Sequence, residues 1–375
     1  MSWSQQTWLA RRSALIGFAA ACGVPWSSPK EPDPLGALDR LRPVDTGRWF
    51  AEARRAGAAG PDVLRDALRT ALKRCVETLD LHPLLIFGPA WRLAPEDDRL
   101  LLWILVQVTD WWEFSGCSGD PALRNAHAGP KGLLPRTSDV HPAILASEAA
   151  FLESKLPQDL AQDLLGRAAR ISGRGPAREE LLHAVGATGA AMARAEPQPV
   201  SPEEVAHSVL TLGDGALDAL VDASPPLGTL WHGLWLAAAS AWLGYGGPLN
   251  PTHTITGLSA TQRLASTLPG PGPWIGAAAM AARLAMDAGP MPPFGVVQSA
   301  WSVADAPPRS VWRDRARRPG PDLHDLKFCE AIAHAPIPDP IFAVVSGLAT
   351  RSGRLEAAPW PVLEAAWEQF SHRSR

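Results

Sequence analysis

Between its Pro and Gly residues, nearly every segment of this 375-residue chain repeats its apolar positions at helical spacing, and no run alternates β-branched residues at the period of a strand. That absence leaves helix packing as the way to build a core. The segment PDVLRDALRTALKRCVETLD starts with Pro61 and Asp62, a helix-opening arrangement, and places Val63, Leu64, Ala67, Leu68 and Leu72 on one stripe. EDDRLLLWILVQVTDWWEF follows three acids suited to a helix N-terminus with residues that are apolar almost all round, which predicts a central, buried helix. Further helices are expected at 140–155, 157–171, 177–195, 201–222, 227–243, 251–266, 273–287, 321–335, 339–350 and 358–370. The expected class is all-α: an irregular multi-helix bundle, with helical hairpins around one large core built on 99–112, 228–243 and 253–265. A hydrophobic content of 46% is ample for such a core, so disorder of the whole chain is excluded.

The organisation divides into five stretches. Residues 1–24 place Arg11 and Arg12 before a weakly apolar run from Ser13 to Val24, a layout that resembles a twin-arginine export signal with Leu15 at its hydrophobic position. Ala19-Ala20-Ala21-Cys22 also reads as a degenerate lipoprotein cleavage box, and a plain N-terminal amphipathic helix is the opposed reading. Exported or periplasmic and cytoplasmic locations therefore both stay open. Residues 25–45 are rich in Pro and charge and read as a linker; 46–115 form an N-terminal helical part, 116–139 a long loop, and 140–375 a C-terminal helical domain. The longest apolar run, 99–108, contains Gln107 and runs on to Asp110, so no integral membrane span is expected.

Several function classes are excluded early. A net charge of -3 offers no field that would gather phosphates, which argues against a nucleic-acid partner. Cys22, Cys75, Cys117 and Cys329 lack CxxC spacing, removing zinc ribbons and thioredoxin-like chemistry, and Cys75 and Cys329 fall within helical periodicity as small hydrophobes. No GxGxxG follows a strand, and no Walker or GxSxG sequence occurs. The chain holds 16 Trp against the single Tyr245, and Trp faces suit a core or the wall of a cofactor site.

Chemistry concentrates at histidine-led helix starts. In HTITGLSATQRL, His253 is followed by Thr254, Thr256, Gly257, Ser259 and Ala260, a narrow face on which a planar ligand or another helix can lie. A neutral imidazole there can exchange a proton with a substrate oxygen or bind a metal. HDLKFCEAIAHA puts His324 and Lys327 on one face, and a Lys in a first helical turn calls for a carboxylate or an anionic ligand. His232, between Trp231 and Trp235, lies one helix before His253. These four residues are expected to converge on an apolar pocket, partly walled by Trp, for a small planar organic ligand.

These segments, with the WHGLW helix before them, resemble the questin oxidase-like family of all-helical oxidoreductases, in which a histidine-led helix with a TG continuation and a later His-x-x-Lys helix recur in this order. The resemblance covers about 110 residues of the C-terminal half. It implies an oxygen- and NADPH-dependent ring-opening oxidation of an aromatic or polyketide ketone, with His232, His253, His324 and Lys327 lining the site.

Two other readings stand beside it. Glu180 with His183 and Glu204 with His207 are Glu-x-x-His pairs of the kind that carboxylate-bridged di-iron bundles draw from each of two helices. A non-enzymatic exported helical accessory or ligand-binding protein, serving a redox partner, is the third.

Overall fold

The computed structural model describes residues 38, 41–78, 82–115, 141–172, 179–244, 251–287, 291–302, 305–356 and 359–373. Among them the chain is all-α, with no strand and seventeen α-helices. In chain order these are α1 (Thr46–Arg55), α2 (Gly60–Thr78), α3 (Phe87–Leu93), α4 (Asp98–Ser115), α5 (His141–Leu152) and α6 (Gln158–Ser172). They continue as α7 (Glu179–Met192), α8 (Pro202–Thr211), α9 (Ala216–Ala223), α10 (Leu227–Ser240), α11 (Pro251–Ser266) and α12 (Gly272–Asp287). The last five are α13 (Phe294–Ala300), α14 (Arg309–Arg317), α15 (Leu323–Ala333), α16 (Asp339–Ala349) and α17 (Pro361–Arg373).

One hydrophobic core runs through both parts of the chain and takes in all three segments expected to found it: Leu100–Val106 with Val108, Leu230–Ala239 apart from His232 and Gly233, and Ile255, Leu258, Ala260 and Leu264. From Leu100 to Asp110 helix α4 is buried all round, as the apolar run Leu100–Val106 requires. Its Trp103 donates its indole N–H to the Gly320 carbonyl at 2.8 Å, and Gln107 donates to the Pro321 carbonyl. Helices α1 and α17 close the far side through the stacked rings of Phe50 and Phe370, 4.8 Å apart. Leu38 and Leu41, in the stretch assigned to the linker, are buried in this core.

Helix α11 is the hub that matters for function: it packs against α5, α10, α12 and α15, while the short α3 packs against both α5 and α15. Small residues on α11 permit this. Thr252, Thr254, Thr256, Gly257, Ser259 and Ala260 are all buried in its first turns, and small side chains there let neighbouring helices approach closely.

The helix expected over 201–222 is two. Gly213 takes a φ of +52°, a left-handed conformation that stops α8, and α9 starts after a tight turn. Helices α1, α3, α13 and α14 were outside the expected set; α3 and α13 have seven residues each, too short for a periodic signal, and α14 is dominated by Arg. The stretches 1–24 and 116–139 lie outside the described residues. No helix among the described residues is long and apolar enough to cross a membrane.

Candidate metal centre

Four histidines meet where α3, α5, α11 and α15 come together. His82 lies in the helical turn His82–Leu84 that leads into α3, His141 opens α5, His253 is the third residue of α11, and His324 the second of α15. Each therefore stands in the first turn of a helical segment. At the starts of α11 and α15 the positive end of the helix dipole opposes protonation of an imidazole, so the positions of His253 and His324 favour the neutral ring with a free lone pair.

The ring nitrogens of His82, His141, His253 and His324 available as ligands all lie within 4.8 Å of one another. Ring centroids follow a nearly square circuit: 4.7 Å from His82 to His141, 4.7 Å from His141 to His253, 4.8 Å from His253 to His324 and 5.1 Å back to His82. The diagonal from His82 to His253 is 6.4 Å. Neighbouring rings are steeply tilted, by 66–75°. All four histidines are half-buried as residues, and His141 Nε2 is buried.

His253 Nε2 and His324 Nε2 are 2.9 Å apart. Two nitrogens bound at right angles to one ion at 2.0–2.1 Å would be about 2.9 Å apart, and tetrahedral ligands about 3.3 Å apart. His324 Nδ1 meets Asp322 Oδ1 at 2.7 Å, the carboxylate–imidazole arrangement that fixes the tautomer and turns Nε2 inward as a lone pair. Asp322 also accepts the His324 backbone N–H at 2.9 Å, capping α15. It is held in turn by Arg354, whose guanidinium bridges Asp322 and Asp325; Asp325 accepts from Arg315 as well.

Electrostatics agree with this geometry. Burial, the positive charge of Lys327 and the other rings bring His253 down to about 3. Burial likewise brings His324 down to about 4, against the opposing pull of its bond to Asp322. Burial alone would raise the Asp322 carboxyl, but its bonds to His324 and the charge of Arg354 hold it well below the usual carboxylate range. Both imidazoles are thus neutral at pH 7, the state a metal requires. The donor set of four imidazoles suits a first-row transition ion: Fe, Cu, Ni or Zn.

Of the residues singled out in the sequence, His253, His324 and Lys327 are brought together. Lys327 is buried, and its charge acts on both rings. His232 is not part of the quartet; it sits half-buried on α10, where burial lowers its basicity. Burial of Cys329 pushes its thiol up to about 12, which makes it an inert core residue. Glu204 closes a capping box at the start of α8, exchanging bonds with Ser201, and His207 packs edge-on against Phe294 at 4.1 Å. His183 is exposed on α7, and the side chain of Glu180 lies outside the described residues. None of these enters the metal-ligating group found among the described residues.

His82 and His141 went unselected in the sequence. Each directly precedes a proline, His82-Pro83 and His141-Pro142, and Pro is favoured in the first turn of a helix. An imidazole held just ahead of such a proline was the available signal.

No protein-family model, curated protein or solved structure matches this chain.

Proposed function

We propose that this protein is a non-haem metal oxidoreductase that oxidises an aromatic or polyketide ketone at the four-histidine centre. The reading rests on one observation, the gathering of His82, His141, His253 and His324 within 4.8 Å. The motif order of the questin oxidase-like family supplies the substrate class. A redox-active ion at such a site supplies one-electron and oxygen chemistry that no side chain provides.

The protein's own residues have distinct tasks. The four rings would hold the ion, and Asp322 orients His324 by keeping its Nδ1–H engaged. Buried Lys327 brings positive charge beside the rings, and the helix starts add to it, so an anionic form of the substrate, a phenolate or enolate, is favoured in front of them. With no dinucleotide fingerprint in the sequence, NADPH enters only through the family resemblance and would act as a diffusing reductant.

The test is metal analysis of the purified chain together with oxygen uptake on aromatic ketones, with and without NADPH. Stoichiometric iron or copper and ketone-dependent oxygen consumption are expected. A chain that takes up no metal and consumes no oxygen would overturn the reading and favour the accessory role.

A further inference from the structure

The helices α3, α5, α11 and α15, each of which carries or directly follows one histidine of the centre, also contribute one charged residue apiece to a second, buried cluster: Arg92, Glu148, Arg263 and Glu330. Arg92 lies at its middle with two forks. Its Nε and Nη2 donate to Glu330 at 2.7 and 3.2 Å, and its Nη1 and Nη2 donate to Glu148 at 2.7 and 3.0 Å. Arg263 donates to Glu148 at 3.0 Å and pairs with Glu330 at 3.7 Å, while its Nη1 donates to Ser259 on its own helix. His334 Nδ1 meets Glu330 Oε1 at 3.2 Å. Glu148 and Glu330 are each 1% exposed, so both carboxylates are removed from water and depend on these partners.

The sequence is shaped around this cluster. Gly88 lies one turn before Arg92, and a Cβ there would overlap the Glu148 carboxylate, so α3 carries a glycine where that carboxylate must pass. Arg92 also stacks over the Phe151 ring, 4.9 Å from its centroid. Two guanidiniums against two carboxylates balance in charge, which makes the cluster tolerable inside the protein.

We propose that Arg92, Glu148, Arg263 and Glu330 act as a positioning lock that fixes the mutual register of the four histidine helices, and so sets the spacing of the imidazoles. A bidentate Arg fork tolerates little displacement; a shift of α3 along its axis would break both Arg92 forks at once, and a shift of α5 or α15 would break one. Glu148 lies two turns below His141 on α5, and Glu330 lies just under two turns below His324 on α15. A displacement at the lock is therefore carried by rigid helix to the rings. The inference rests on the metal reading for its consequence and not for its geometry.

The experiment uses the full chain and two variants, Glu148→Gln and Arg263→Lys, with Phe370→Leu as a destabilised control in the α1–α17 contact. Two readouts are taken: imidazole ¹H–¹⁵N correlation spectra of the metal-free protein, and Co²⁺ binding followed by its ligand-field absorption. Both lock variants are expected to shift or broaden the site imidazole signals and to weaken Co²⁺ roughly 10- to 100-fold with a changed absorption spectrum, as for other residues that support metal ligands. Phe370→Leu should do neither. Arg263→Lys keeps the charge at the more exposed corner and retains the fold if Glu148→Gln does not. Unchanged imidazole spectra and unchanged Co²⁺ binding in a folded lock variant would overturn the lock. A wild-type chain that takes up no Co²⁺ while its lock variants disturb the imidazole spectra would sink the metal reading and leave the lock standing.

Discussion

Asp322 accepts both the backbone N–H and the Nδ1–H of His324, so one carboxylate caps helix α15 and sets the tautomer of its histidine. The two tasks separate on mutation. Asp322→Asn keeps a side-chain oxygen for the cap but removes the negative charge that favours Nδ1–H. Stability should change by less than about 1 kcal/mol, while metal affinity falls about 10- to 100-fold. Calorimetric titration with Zn²⁺ alongside thermal unfolding distinguishes the two effects; equal affinity in the variant would show that Asp322 serves the cap alone.

Removal of a ring at the centre should differ sharply from removal of the nearby His232. His82→Ala or His141→Ala takes away one of the four nitrogens within 4.8 Å and should reduce metal affinity by more than about tenfold. His232→Ala, on α10, should leave metal content as it is. Elemental analysis of the three purified variants decides the matter, and metal loss in His232→Ala would draw that residue back into the site.

Acid should weaken the metal-free fold in a defined window. His253 and His324 fall to about 3 and about 4 in the folded chain, chiefly through burial. In the unfolded chain both take up protons near the ordinary value of about 6.5. Between roughly pH 6.5 and pH 4 the unfolded state thus binds more protons, and stability declines as pH falls through that interval. Urea unfolding of the apo-protein at pH 7.5, 5.5 and 4.5 should show this decline, and a His253→Gln variant should show a shallower one. Identical slopes for the two would count against a buried neutral His253.

Leu236 lies 1% exposed at the centre of α10. Leu236→Ala should cost about 2–5 kcal/mol, the range for a large-to-small change that the surroundings cannot refill. Denaturant unfolding measures it. A loss below about 1 kcal/mol would mean that the three founding segments do not share one close-packed core.

Helical periodicity made most of the architecture legible, because long amphipathic or fully apolar segments such as 60–78 and 98–115 admit only one period. Short helices escaped it: α3, with seven residues, buries five of them yet completes barely two turns. Half of the histidine quartet was legible for a related reason. His253 and His324 head helices with distinctive small or charged continuations, whereas His82 heads a three-residue turn. HPAILASEAA and HTITGLSAT both begin with His and run into small residues, and both leading histidines, His141 and His253, reach the centre. HAVGATGAAM starts in the same way at His183, which is exposed. Sequence cannot separate them, since what distinguishes them is where their helices point after packing. The Arg92 lock was invisible for the same reason: its partners are 56 and 238 residues away along the chain.

The centre draws on residues spread from His82 to His324, so no nascent fragment that ends before α15 can assemble it. Closing loops of that span is slow, because the entropy of bringing distant segments together must be spent before any contact rewards it. On the proposed metal reading, uptake would be a late event in the life of each molecule and would report that the segments from His82 to His324 have docked. An ion captured at that moment would tie four distant points of the chain together and stabilise only the finished fold.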